Sequence, residues 1–429
     1  MKYTAKTENQ ISIYNNCLIH KGDTTLYYCV KLYNYKIYTT NSIAGQIELL
    51  YNLITNIENL FGTLSFSIFR FEDIVSPSQY KEKFLQTVAL WDPNFTPSQE
   101  FLNNIKYTSQ EYCFLAININ DKQNIDFNVS LKKMFGEYRD LLLDSFTSFR
   151  QQKIDTDRID GLNEKILNIG QGMIKACPEE VLVAYYIKRI FPSYTLALNK
   201  DELDINKQLI TYLKQDLTPK FNYFEMSNTG VELLGAEQRV TYGSVIDVVE
   251  FPEEIISESF SLDLDSLVVN CRTITKGKAK RKFTRKKSDI EFEAESAAVA
   301  GANAEMELED YKDLADLALA AIGAGRRIAE TDIHILVTAG SVEELNKKRF
   351  GLISMLKNMQ IIATFAPDQA KEYVDSFIRL RPAKYPYLLD LRYPLSFRLT
   401  QGSSAGDFDS KYTSPIIGET VSREEATES

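Results

Sequence analysis

Several short segments of this chain are built as strands, and they constrain the fold more than any other feature. Leu64 to Phe71 reads Leu-Ser-Phe-Ser-Ile-Phe-Arg-Phe, the period-two alternation of a half-buried strand. Thr25 to Thr39, rich in β-branched and aromatic residues, predicts a strand or bent hairpin. Tyr112 to Ile119, Tyr242 to Phe251, Leu262 to Ile274, Asp332 to Ala339 and Gln360 to Phe365 predict further strands. Strands this short must pair into sheets, and their apolar residues must be covered by helices.

The helices announce themselves by a different period. Ile43, Ile47, Leu50, Ile54, Ile57 and Phe61 recur every three or four residues, with Asn41 or Ser42 as N-cap and Gly62 as the stop. Leu131, Met134, Phe135, Tyr138, Leu141, Leu142, Phe146 and Phe149 make a wide apolar stripe, and Pro178 with Glu179 and Glu180 opens another helix. Ser288 with Glu291 predicts a capping box that starts an Ala- and Glu-rich helical stretch running to Gly323, and Ser341 with Glu344 predicts a second. Pro367 opens a helix with Ala370, Tyr373, Val374, Phe377 and Ile378 on one face. The class expected is α+β, as two small sandwich units of ferredoxin-like, split β-α-β type with a helical layer between them, helices on one face of each sheet. The boundaries expected are 1–130 for the first unit, 131–238 for the helical region and 239–400 for the second unit. A charged helical insertion at 275–325 and a C-terminal segment, 401–429, complete the division.

A formal net charge of -10 argues against a general nucleic-acid binder, which needs a basic face. The longest near-apolar run, Leu314 to Gly325, is broken by Asp316 and falls short of the roughly 20 residues that cross a bilayer. Met1 to Gln10 has no apolar core of a secretory signal, so the expected location is the cytoplasm, with peripheral attachment to the inner face of the cell membrane left open. The five cysteines include no C-x-x-C pair, and Cys17, Cys29, Cys113 and Cys271 sit in apolar-alternating stretches as buried thiols rather than ligands.

Chemistry leaves little trace. No G-x-x-x-x-G-K-S/T loop occurs, and Gly170-Gln171-Gly172 and Gly323-Ala324-Gly325 read as helix ends. Only His20 and His334 are available to a nucleophile. His334, between Ile333 and Ile335, points to the opposite sheet face from its neighbours and reads as a structural or exposed strand histidine. No catalytic residue, cofactor or metal is expected, and no enzyme. The sharp electrostatic feature is the run Lys276, Lys278, Lys280, Arg281, Lys282, Arg285, Lys286 and Lys287. It is either a solvated loop between a strand and a helix, a contact for anionic lipid or an acidic partner, or a track for a nucleic-acid backbone.

The second unit carries a resemblance. Phe251-Pro252 followed by Glu253-Glu254-Ile255, an Asp-rich strand, the charged insertion, the passage from Thr331 to Leu345, and a helix containing Gln369 follow one another. In that order they resemble the N-terminal domain of the CagE/TrbE/VirB class of type IV secretion ATPases, in the Gram-positive conjugation form. Pro382, Ser403-Ser404-Ala405 and Ile416-Ile417-Gly418 are similar to the elements that lead into that family's motor. The resemblance covers about 240–420 best. It implies a docking module that anchors a motor at the cytoplasmic face of a DNA-transfer channel. The expected partners are the channel's inner-membrane components, a separately encoded ATPase motor, an anionic membrane surface and a second copy of the chain. The family's nucleotide-binding loop would follow Gly418, and the chain stops at Ser429, so no catalytic residue carries over. The other expectation is a nucleic-acid-binding accessory protein of a mobile element acting through 276–287.

Overall fold

The central strands carry large apolar side chains on both sides, and this decides where the helices go. The computed structural model describes residues 11–20, 23–30, 40–75, 108–119, 156–170, 172–190, 214–229, 240–250, 267–300, 305–381 and 386–399. The expected stripe at 131–149 and the segments after 400 lie outside the described residues.

In chain order the first elements are β1 (Ile11–Tyr14), β2 (Cys17–His20), β3 (Asp23–Val30), α1 (Thr40–Phe61), β4 (Ser65–Val75) and β5 (Thr108–Asn118). Next come α2 (Thr156–Ile169), β6 (Ile174–Ala176), α3 (Glu179–Ile190), β7 (Lys214–Lys220) and β8 (Tyr223–Thr229). The remainder begins with β9 (Thr241–Glu250), β10 (Leu267–Thr273), α4 (Lys276–Ala300), α5 (Glu305–Gly323), β11 (Ile328–Ala339) and α6 (Val342–Asn358). It closes with β12 (Ile362–Phe365), α7 (Gln369–Glu372) running into a π-helical turn (Tyr373–Ile378), β13 (Tyr387–Asp390) and α8 (Arg392–Leu399).

The class is α+β. The strands follow the order β1-β2-β3-β5-β4-β10-β11-β9-β8-β7, with β6 beside β3, β12 beside β9 and β13 beside β11. Every pairing among the described residues is antiparallel. The two units read in the sequence meet at β4 and β10, where Phe69 pairs with Val268 and Phe66 with Cys271, so they share one continuous sheet. The stretch expected to be a helical layer supplies β6, β7 and β8 to it. β7 contains Pro219, which lacks a ladder donor, and lies at one end of the strand order, where an edge tolerates it.

Helices cover both sides of this sheet rather than one. Alternation along β4 sends Phe66 and Ile68 into one core and Phe69 into the other, and Ser65 and Ser67 are buried too. The first core receives Ile47, Leu50, Ile54 and Ile57 of α1, Ile166 of α2, Leu345 and Leu352 of α6 and Leu395 of α8. The second receives Leu182, Tyr185 and Ile187 of α3 with Tyr373 and Phe377 of the π-turn. Its centre is aromatic: Phe69 stacks on Tyr185 at 4.8 Å between centroids and meets Phe114 at 5.2 Å. Each such ring contributes roughly 1.5–3 kcal/mol by leaving water.

Most end signals hold. Gly62, at φ 78°, closes α1. Pro178 precedes α3, accepting from the N–H groups of Val181 and Leu182. The Glu344 N–H donates to Ser341 Oγ, and the Glu344 carboxylate accepts from the Gly340 N–H, one residue earlier than a standard box. Gly325, at φ 92°, ends α5: its N–H reaches Ile322 O and that of Arg326 reaches Ala321 O, a Schellman closure. All five cysteines are buried thiols. Burial, with Asp160 adding, pushes the Cys17 thiol up to about 12, far from a reactive thiolate.

Candidate functional site

The basic run is helix, not loop. α4 begins at Lys276, directly after β10, where the Thr275 carbonyl accepts from Ala279 and its hydroxyl accepts from Lys278. Ser288 and Glu291, expected to start the helix, lie inside it. Lys and Arg are good helix formers, and counter-charges on neighbouring elements relieve part of the repulsion that would favour a loop.

Those counter-charges sort the eight cations into two sets. Lys282 Nζ lies 2.5 Å from the Glu330 carboxylate and Lys278 Nζ 3.6 Å from it, and Arg272 of β10 approaches the other oxygen at 3.6 Å. Lys287 pairs with Asp316 of α5 at 2.6 Å, and Lys276 donates to the Gly323 carbonyl at the negative end of α5. Farther along, Glu291 pairs with Lys312. Numbering rises on α4 as it falls on α5, so the helices form an antiparallel hairpin rooted on the sheet. Ile274, Ala279, Ile322 and Ile328 make a small core at that root. Lys280, Arg281, Arg285 and Lys286 are exposed and form no ion pair among the described residues. The hairpin also exposes Phe292 at 71%, Leu314 at 59% and Leu317 at 67%. At about 100° per residue the four unpaired cations spread around the helix; only Arg281 and Arg285 share a stripe, which continues through Ser288 to Phe292.

Glu330 is the first of three ionisable residues at alternate positions on one face of β11. Asp332 and His334 follow, and all three are buried between the root core and the aromatic core. Burial would raise the Glu330 pKa, but the hydrogen bond from Lys282 and the charges of Lys278, Lys282 and Arg272 outweigh it and hold the carboxyl below its ordinary value. The register then brings in neighbours from three strands. His334 stands opposite Asp247 on β9, Asn270 opposite Asp332, and Ser67 opposite Asn270. Ser67 Oγ donates to Asn270 Oδ1 at 2.6 Å, and Asn270 Nδ2 donates to Asp332 Oδ2 at 3.3 Å. His334 lies between the two carboxylates, Nδ1 at 2.5 Å from Asp247 and Nε2 at 2.5 Å from Asp332. Burial would depress its pKa, but Asp332 and Asp247 overcome this and raise it to about 10. The ring is therefore an imidazolium at neutral pH, both N–H groups donated to carboxylates. With no nitrogen left to take a proton, His334 has the geometry of a charged clasp rather than a general base.

Asp247, Glu330, Asp332 and Asp316 are not among the candidate site residues read from sequence. A signal existed for Asp332 and His334, since residues two apart on a strand share a face. Gln369, which carried part of the resemblance, is a backbone surrogate. Its Oε1 accepts from the Val245 N–H at 2.6 Å, and its Nε2 donates to the Val245 and Ala366 carbonyls, both at 2.8 Å. It continues the β9 ladder where β12 stops. Among the described residues no helix is long and apolar enough to cross a membrane. No family model matches this chain, and no curated protein matches it.

Proposed function

We propose that this chain is a docking and assembly module that acts through the α4–α5 hairpin and performs no chemistry of its own. The observation that carries the reading is the division of labour on α4. Lys276, Lys278, Lys282 and Lys287 root the hairpin, while Lys280, Arg281, Arg285 and Lys286, together with Phe292, Leu314 and Leu317, are presented to solvent. The clasped His334 supports the absence of catalysis, because the buried charges of the sheet are spent on each other. The sequence resemblance gives the assembly a name: the docking half of a conjugative type IV secretion ATPase, anchoring a motor at the cytoplasmic face of the transfer channel.

The competing use of the same residues, tracking a nucleic-acid backbone, makes a quantitative demand. Four available cations set a slope of about -3.6 for log affinity against log salt on duplex DNA, where all eight would set about -7. A titration of the purified chain with duplex and single-stranded DNA between low and physiological salt measures it. The docking reading expects no binding of that strength, and a slope near -3.6 that vanishes in the K280Q/R281Q/R285Q/K286Q variant would replace it with the nucleic-acid reading. ATP hydrolysis by the pure chain is expected to be nil; turnover that follows the protein through purification would contradict the proposal.

A further inference from the structure

The root of the hairpin contains a cavity of about 210 Å³ where the start of α4 meets the turn between α5 and β11. Its floor is apolar: Ile274, Ala279 and Ile328 are all buried. Its walls carry Lys276, Arg326 and Arg327, and no acidic side chain is among the described residues that line it. Three cations line an apolar floor in a protein of net charge -10, and no acid joins them among the described lining residues.

Two of the three hold an acid that lies outside the cavity lining, and neither is saturated by it among the described residues. Arg326 Nη1 reaches Asp390 Oδ2 at 3.4 Å, and Arg327 Nε reaches Glu58 Oε2 at 3.6 Å, each contact single and long. A guanidinium has five N–H donors, so most of each fork stays available among the described residues. Lys276 gives one hydrogen to Gly323 O at 3.1 Å and keeps two. Lys276 is also the first residue of α4, whose 25 residues direct the positive end of their dipole toward this side, and no acidic residue occupies the first turn.

We infer that this cavity is a binding site for a phosphate group, as inorganic phosphate or the terminal phosphate of a phosphomonoester. Size and charge select the class. The volume lies below the roughly 300 Å³ at which pockets take drug-sized ligands, so a nucleoside does not fit inside it. Two guanidinium forks and an ammonium match a tetrahedral dianion. The phosphate can be free in solution or belong to a lipid headgroup. The site does not rest on the docking reading.

The test is calorimetric titration of the full chain with inorganic phosphate against chloride at matched ionic strength. Wild type is expected to bind with a heat that saturates, and Lys276→Gln combined with Arg326→Gln is expected to weaken binding about 100-fold, the loss of two charge-assisted hydrogen bonds. Arg327 stays in place because it faces the buried Glu58 carboxylate; the double variant gives up only one partly exposed ion pair and the charge behind one exposed hydrogen bond, so it should keep its fold, checked by an unchanged circular dichroism spectrum and a cooperative unfolding transition in chloride. Absence of a phosphate-specific heat up to about 10 mM, or equal binding by the double variant, would overturn the site. Vesicles containing phosphatidic acid compared with phosphatidylglycerol separate the sources: preference for the phosphomonoester lipid, lost in the double variant and competed by free phosphate, assigns the headgroup. Equal capture assigns a soluble phosphate.

Discussion

Replacing His334 by glutamine tests the buried clasp. The ring is about 3% exposed, and glutamine carries no charge, so the substitution leaves Asp332 buried and Asp247 partly buried with no cation between them. Raising the histidine from 6.5 to about 10 is worth about 5 kcal/mol at roughly 1.4 kcal/mol per pH unit. Breaking one partner out of a buried ion pair costs roughly 3–5 kcal/mol by an independent route. The expected loss near pH 6 is therefore about 3–5 kcal/mol, read by urea unfolding followed by circular dichroism. The sign of the pH dependence follows from a folded pKa above the unfolded one. The histidine's contribution is complete below pH 6.5 and disappears as pH rises through about 10, so the gap between wild type and variant should close across that window. Adding Asp332→Asn to the variant should recover part of the loss, because it removes the stranded charge. A gap under about 1 kcal/mol, or one that stays constant between pH 6 and pH 10, would refute the reasoning.

Other perturbations probe separate joints. Gln369→Ala should cost about 1–3 kcal/mol, because the Val245 N–H would be left buried without a partner while its C=O keeps only the Ala366 N–H, and hydrogen exchange at Val245 should accelerate. Glu330→Gln should cost about 1 kcal/mol at neutral pH, since two of its three cations are 40% or more exposed. As the Glu330 carboxyl lies below its ordinary 4.5, that difference should persist above pH 4.5 and fade as the solution is acidified through the folded value. Gly243→Ala should destabilise by about 1–3 kcal/mol, because its Cβ would stand 2.4 Å from the Phe224 ring, which is fully buried; the unfolding midpoint in urea reads it.

Local chemistry was legible from sequence where local forces decide the outcome. The stop at Gly62, the cap at Ser341 and Glu344, and the Schellman end at Gly325 all depend on residues within five positions of each other. The helix stripe from Ile47 to Ile57 was legible for the same reason. What escaped depends on register. Nothing in Asp247 or Asp332 alone says that antiparallel pairing will place both against His334, and nothing in Glu330 says that it will gather Arg272, Lys278 and Lys282. The single sheet escaped because Leu64 to Phe71 reads as half-buried when serine is taken as solvent-facing. Ser65 and Ser67 are buried, with Ser67 hydrogen-bonded across the sheet to Asn270. A solvated loop stays among the readings of the basic run because its own charges repel; Asp316 and Glu330, which turn it into a rooted helix, lie 29 and 48 residues away from the lysines they bind.

The central claim is that the exposed cations of the hairpin dock the chain while the paired ones hold it. The direct measurement is co-purification of the full chain with conjugation-channel membrane components, comparing wild type with K280Q/R281Q/R285Q/K286Q. The quadruple variant is expected to keep its unfolding midpoint, since it removes no ion pair of the described residues, and to lose the association. Association that survives all four substitutions unchanged, with the fold intact, would contradict the account.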